Sequence, residues 1–349
     1  MPVSGPFGMG EYARSLSIAQ GAQNRWPQAQ IHFLLSRRAP YAAAVPFPAT
    51  WLDSSPTFHS AAVIASIQEF KPHVVIFDNA GRTAQLRAAS NAGARLVFIS
   101  SRPRQRRKAF RWRWMRLIDE HWIAYPQFIA GRFSILEQFK LGRLRRPVVR
   151  YLDMILSRAG TSESFLARSG LTPQSYVLVV PGGGTGHPGA GDASTKFLAA
   201  ANTLADGGTP TVFVGPMGNG SPSASLHGFN ALPQSDLAAL MSGARLVITN
   251  GGSTLLQAIA CGCACLGVPI AQDQPRRIER CVEARVALAA ALDIPSMVQA
   301  AQELLSDEAK RAALAQRASD LRLADGIDVA LAALTSLLRT RQGEGSLSE

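Results

Sequence analysis

The sequence predicts an α/β protein of two Rossmann-like domains facing across a cleft. Short apolar runs alternate with helical stretches through both halves of the chain. That alternation indicates parallel sheets covered by helices. Each half also opens with a glycine loop and continues βα. At 349 residues the chain is long enough for two domains of ordinary size, and its 47% apolar and 17% charged residues suit a globular protein.

In the first half, residues 5–14 read as a glycine loop entering a helix. Such a loop follows a central strand, yet only four residues precede it, so either residues 1–3 are a stub of that strand or the natural start lies upstream. Residues 31–35 form a buried strand, and residues 73–77 another, which ends at Asp78 and Asn79. Residues 82–91 are helical and Gly93 stops them. Residues 95–99 and 121–125 are later strands. The first domain is expected over 1–150, with a linker over 151–173.

The second domain is expected over 174–341. It opens with the strand 176–180, followed by Gly183, Gly184, Thr185 and His187 in a loop rich in glycine. A strand at 210–214 and a short helix at 235–243 come next. Residues 246–249 are a strand, 264–270 another, and the Ala-rich stretch 295–341 is helical. Residues 342–349 read as a disordered tail.

One segment carries the most chemistry. Strand 246–249 leads into Asn250, Gly251, Gly252, Ser253 and Thr254. The glycines allow a tight turn, and Ser253 and Thr254 can cap the helix that follows. A helix N-terminus presents unpaired N–H groups and a positive dipole end, which suits a phosphate. Strand 264–270 then leads to Asp273 and Gln274, placed where a sugar hydroxyl can be read. Strand, phosphate loop, helix, strand and polar clamp are what a nucleotide-sugar site needs.

Over residues 176–290 this run resembles the donor half of GT-B glycosyltransferases. The likeness is to inverting members such as the N-acetylglucosaminyltransferase of lipid II synthesis and the UDP-glycosyltransferases. The resemblance implies that Gln257 stands where the family commonly has a Glu holding the ribose hydroxyls. A Gln can bond a diol without charge. It implies that residues 229–233, Leu232 among them, lie against the nucleobase. It also implies a base on the acceptor side to deprotonate the attacking hydroxyl. Glu11, in the first glycine loop, is the first candidate, and Asp78, just past a strand end, the second. Competing structural readings are a first-turn acid serving its helix dipole and an Asx turn or cap.

Charge is uneven: residues 1–150 carry a net +15 against +12 for the whole chain. An anionic partner for the first half follows. The run from Arg102 to Arg116 concentrates it, with Arg106, Arg107, Lys108 and Arg111 interleaved with Trp112 and Trp114. It suits a solvated helix face, an anionic membrane or nucleic acid, the last least favoured. Cys261, Cys263 and Cys265 lack nearby histidines and read as small core residues; no metal or cofactor is expected. No secretory signal is visible, and the uncharged stretch 246–272 is broken by polar residues, glycines and Pro269.

The expectation is therefore a cytoplasmic enzyme, peripheral at the inner face of the membrane. It would move a sugar from a nucleotide-sugar donor, a UDP-sugar by resemblance, to an anionic or lipid-linked glycan acceptor by inverting displacement, in cell-envelope polysaccharide synthesis. A nucleotide-sugar hydrolase or 2-epimerase of the same fold, or a non-catalytic binding scaffold, are the alternatives.

Overall fold

The computed structural model describes residues 1–3, 5, 9–39, 41–155, 162–182, 192–217 and 223–345. The chain divides into two α/β units, one comprising Met1–Ile155 with Ala324–Glu349, the other Leu156–Leu323.

In the first unit β1 (Phe33–Ser36) pairs with β2 (Ala49–Leu52), and β3 (Val74–Asp78), β4 (Arg95–Ser100), β5 (Glu120–Ile123) and β6 (Val148–Tyr151) form a four-stranded sheet in that order. All pairs are parallel. The N-terminal residues join the two sets. Pro2 bridges Leu34 and Val3 bridges Asp78, both in parallel sense. The Val3 N–H donates to the Leu34 carbonyl at 3.2 Å, and the Asp78 N–H to the Pro2 carbonyl at 3.0 Å. Residues 1–3, one of the two readings of the start, thus occupy a central strand position, with Val3 fully buried.

Side chains alternate across this sheet, as the two-residue strand period requires. Val75, Phe77, Leu96 and Phe98 pack with Val63, Leu86 and Trp114 in one core cluster. Ile76, Val97, Ile99 and Trp122 pack in another with Ile18 of the helix Met9–Arg25 and with Ala330, Ala333 and Leu334 of the helix Gly326–Gly345.

That last helix corrects the expected boundaries. The sequence places 295–341 in the second domain as one helical stretch. The structure breaks it into Ile294–Ser306, Glu308–Asp320 and Gly326–Gly345, and returns the third to the first unit. The return is fixed by a parallel bridge between Met154 and Asp325 and by the Ala324 N–H donating to Asp153 Oδ2 at 3.1 Å. The expected linker 151–173 is likewise structured in part: β6 reaches Tyr151, and Ser162–Arg168 is a helix of the second unit. Residues 342–345, expected in the tail, extend the final helix.

The second unit is one six-stranded parallel sheet of β7 (Val177–Val180), β8 (Thr211–Val214), β9 (Leu226–Phe229), β10 (Leu246–Asn250), β11 (Cys265–Val268) and β12 (Leu288–Ala289), in the order β12-β11-β10-β7-β8-β9. Counted along the chain from the β9 edge, this is 3-2-1-4-5-6, the doubly wound order of dinucleotide-binding sheets. Val177, Val179, Phe213, Ile248, Leu266 and Val268 form its core with Phe197, Met297 and Leu304. Cys263 and Cys265 are buried in this unit.

Candidate functional site

In a doubly wound sheet ligands bind beyond the carboxyl ends of the strands, where the strand order reverses. In the second unit that point lies between β7 and β10. Two loops leave it: Pro181-Gly182 after β7 and Gly251-Gly252 after β10. Asn250, the last residue of β10, ties them together. Its Nδ2 donates to the Pro181 carbonyl at 2.5 Å, and its Oδ1 accepts the Gly252 N–H at 2.6 Å. Gly182 has φ +81, and a Cβ there would stand 2.3 Å from Asn250 Nδ2 and 3.2 Å from Thr254 Oγ1. Only glycine fits both the backbone and the space.

The helix Ser253–Ala260 starts at this junction, with Gly252 as an N-cap that supplies no side-chain bond to its first N–H groups. Ser253 is exposed and Thr254 buried beside Gly182. A second layer braces the loop from behind. Arg277, buried on the helix Gln274–Glu283, donates to the Gly251 carbonyl and, at 2.7 Å, to Asp273 Oδ2. Gln274 Oε1 accepts the Ile270 N–H at 2.8 Å. A Cβ on Gly251 would meet Ile278 at 2.7 Å and Gln274 Cβ at 2.9 Å.

The structure thus brings Gly251, Gly252, Ser253, Thr254, Asp273 and Gln274 to one end of β10 and β11. The two clamp residues are engaged internally: Asp273 is exposed but paired with Arg277, and Gln274 is buried and holds a strand end. Gln257 lies one turn along the helix, its Nε2 donating to Gln234 Oε1 at 3.2 Å. Leu232 is half-buried in the loop after β9. Gly183, Gly184, Thr185 and His187 lie outside the described residues. Sequence reading passed over Arg277, and named Asn250 without the side-chain bonds it makes. Asn250 was legible as a polar end to an apolar strand; the Arg277 contact depends on helix Gln274–Glu283 folding back under the loop.

The first unit repeats the same strand order with the stub as its first strand, and its reversal point lies between Val3 and β3. Glu11 and Asp78 are both there, in different circumstances. Asp78 is fully buried. Arg14 grips it with Nε at 3.0 Å and Nη2 at 2.6 Å, and Ser15 Oγ donates at 3.0 Å. Burial raises its carboxyl above the usual value, and Arg14 opposes the rise. This is a structural ion pair facing away from solvent. Glu11 is 6% exposed, and its Oε1 accepts from Asn79 Nδ2 at 3.1 Å and Arg102 Nη2 at 2.9 Å. Asn79 holds φ +51 and also accepts the Ser101 N–H at 3.0 Å. The carboxylate is thereby fixed beside the ends of β3 and β4, with its other oxygen accepting no bond among the described residues.

The basic segment divides into inward and outward residues. Trp114 is 1% exposed, donates to Thr83 Oγ1 at 3.0 Å, and belongs to the core. Arg106 donates to the carbonyls of Ala130, Gly131 and Arg132 and to Glu137 Oε2, stapling the following helices. Lys108 donates to the Gly81 carbonyl at 2.6 Å and stacks on Trp114; burial lowers its ammonium to about 8. These three therefore depart from the expected surface role: Arg106 and Lys108 lie on the inward side of the helix Pro103–Ala109, and Trp114 is buried on the short helix Trp112–Met115 that follows. Arg107, Arg111 and Trp112 are exposed. The outward surface continues onto the helix Ile135–Leu144, where Ile135, Leu136 and Phe139 are 88%, 59% and 62% exposed. Lys140 of that helix lies over the Trp112 ring at 5.8 Å.

No family model and no curated protein matches this sequence. Solved structures match over nearly the whole chain. MurG of Acinetobacter baumannii is 15% identical, with a TM-score of 0.64 over 96% of this chain and 97% of that one. The calicheamicin glycosyltransferase CalG4 is 15% identical, with a TM-score of 0.65 over 98% and 97%. A Listeria monocytogenes protein described as a UDP-N-acetylglucosamine 2-epimerase is 15% identical, with a TM-score of 0.62 over 96% and 95%. Likeness at this identity establishes the fold, which is GT-B.

Proposed function

We propose that the chain transfers a sugar from a nucleoside-diphosphate sugar, a UDP-sugar, to an anionic or lipid-linked glycan acceptor by inverting displacement. The observation that carries this reading is the Asn250 junction, where two glycine loops and a helix N-terminus share one reversal point. Backbone N–H groups there suit a diphosphate, and the Ser253 and Thr254 hydroxyls add donors. Those groups stabilise the charge that builds on the leaving diphosphate. As the acceptor oxygen bonds to the anomeric carbon, the bond from that carbon to the diphosphate oxygen breaks and the configuration inverts. Glu11 is the proposed base that takes the hydroxyl proton. Its fixed position, and a second oxygen that accepts no bond among the described residues, favour it over Asp78, which Arg14 and Ser15 occupy.

The acceptor surface belongs to the basic first unit. Exposed Arg107, Arg111 and Trp112, with the apolar helix Ile135–Leu144, fit an anionic membrane face and so a place at the inner leaflet in envelope polysaccharide synthesis. No helix among the described residues is long and apolar enough to cross a membrane. A hydrolase or 2-epimerase is the second reading, favoured by the similarity to the 2-epimerase described above. Incubation with UDP-sugars, with and without membrane extract, separates them. Transfer to an extract component is the expected result. Free sugar or the 2-epimer alone supports the second reading, and no turnover supports a binding scaffold.

A further inference from the structure

The second unit has a cavity at the opposite end of β10 from the Asn250 junction. Arg245 immediately precedes β10 and Asn250 ends it, so about 16 Å of strand separates the two places at roughly 3.3 Å per residue. The cavity has a volume of about 430 Å³. Its room comes from the small residues Gly262, Ala264, Ala312 and Ala315, while Gln174, Ser242, Arg245, Glu308 and Arg311 supply polar groups.

The two arginines converge for a structural reason. The helix Ile294–Ser306 ends beside the cavity, and its last carbonyls attract cations. Arg311 Nη1 donates to the carbonyls of Leu304 and Leu305 at 2.6 Å each, and Arg245 Nη2 donates to the Leu305 carbonyl at 3.2 Å. One guanidinium would satisfy that helix end; here there are two. Arg311 is only 8% exposed. Burial first, and then the neighbouring Arg245, lower its guanidinium below the usual value. Among the described residues neither arginine forms an ion pair, and neither does Glu308. Gln174 spends its amide nitrogen on the Ala244 carbonyl at 3.2 Å, which leaves its oxygen as an acceptor.

We propose that this cavity binds a small phosphomonoester carrying hydroxyl groups. The phosphate lies between Arg245 and Arg311, whose planar forks match its oxygens. The hydroxyls donate to Glu308 and to the Gln174 oxygen. The volume falls in the range of small-molecule pockets. The site is independent of the sugar-transfer reading and lies at the other end of the sheet.

Calorimetric titration of the full chain with glucose 6-phosphate, and with glucose as the uncharged control, tests it. Gly252→Val disables the phosphate loop at the far end of β10, so binding that survives there belongs to the cavity. Arg245→Gln removes one guanidinium at an exposed position. Ala312→Glu places a repelling charge on an exposed helical position that tolerates Glu. Circular dichroism checks that all three variants are folded. Saturable binding of glucose 6-phosphate is expected in the natural chain and in Gly252→Val. It weakens by at least about tenfold in Arg245→Gln and Ala312→Glu, falls with salt, and is absent for glucose. Loss in Gly252→Val with Arg245→Gln unaffected, or no saturation up to about 10 mM, overturns the proposal.

Discussion

Glu11 and Asp78 show how two carboxylates of one unit are given different work by their neighbours. The Arg14 grip and the Ser15 bond engage both oxygens of the fully buried Asp78. Among the described residues Glu11 is held through Oε1, by Asn79 and Arg102. Glu11→Ala is therefore expected to lower turnover at least about a hundredfold, a usual general-base contribution, with donor affinity near normal. A drop under about threefold in steady-state assays would reduce Glu11 to a helix-start residue. His121 makes a separate prediction. It is fully buried in β5, with its Nε2 2.8 Å from Ser100 Oγ, and burial, aided by Arg106, pushes its imidazole down to about 3. The unfolded chain titrates this group near 6.5. Its contribution to stability is whole above that value. It is lost as pH falls from about 6.5 toward 3, because only the unfolded state takes up the proton, at about 1.4 kcal/mol per pH unit. In urea unfolding across that range, His121→Gln should flatten the pH dependence; an unaltered slope would contradict a neutral buried imidazole. Neither environment was legible in the sequence. Asp78 and His121 sit at a strand end and within a strand by pattern, but their partners come from residues 21 to 64 positions away.

Strands β1, β3, β4, β5, β7, β8, β10 and β11 were legible, because their apolar runs are those of a sheet buried on both faces; the edge and short strands β2, β6, β9 and β12 and helices such as Ser60–Phe70 and Ala193–Asp206 were not. What periodicity could not supply was destination. The helix Gly326–Gly345 has an apolar side suited to either sheet, and only its docking against Ile18, Ile76 and Trp122 assigns it to the first unit. Trp114 reads as an interface anchor beside arginines, yet its ring fills the core against Phe98 at 5.1 Å. The outward apolar element is instead the helix Ile135–Leu144, whose capping box of Ser134 and Glu137 was the signal available for its start. Vesicle flotation tests its proposed docking. Each cation near an anionic surface contributes about 1 kcal/mol, so Arg107, Arg111 and Arg143 together give roughly 3 kcal/mol, weakened by salt. Flotation should require acidic lipid, fall at high salt, and drop when Ile135 and Phe139 become Ser. Arg106 and Lys108 are unsuitable for substitution, since both hold the fold. Equal recovery with neutral vesicles would remove the membrane reading, and tight salt-sensitive binding to RNA in its place would favour nucleic acid.

At the scale of the whole chain, both units carry a parallel sheet whose order reverses beside the first strand. The first unit spends its reversal point on an Arg14–Asp78 pair and a positioned Glu11. The second spends it on Asn250, which draws two loops into one cradle. The sequence exposed the division of charge between the halves and the glycine loops, but not the Asn250 bond that joins loops 69 residues apart. The central claim is that this cradle holds a nucleoside diphosphate. Isothermal titration of UDP into the full chain and into Gly252→Val measures it. A Cβ at that position would stand 2.6 Å from Asn250 Oδ1 and disturb the junction, while the extended backbone there, φ −87 and ψ −154, accepts Val. Saturable UDP binding in the natural chain, abolished in a folded Gly252→Val, is the predicted result. Unaltered UDP affinity in a Gly252→Val variant with native circular dichroism, or no binding to the natural chain, would contradict it.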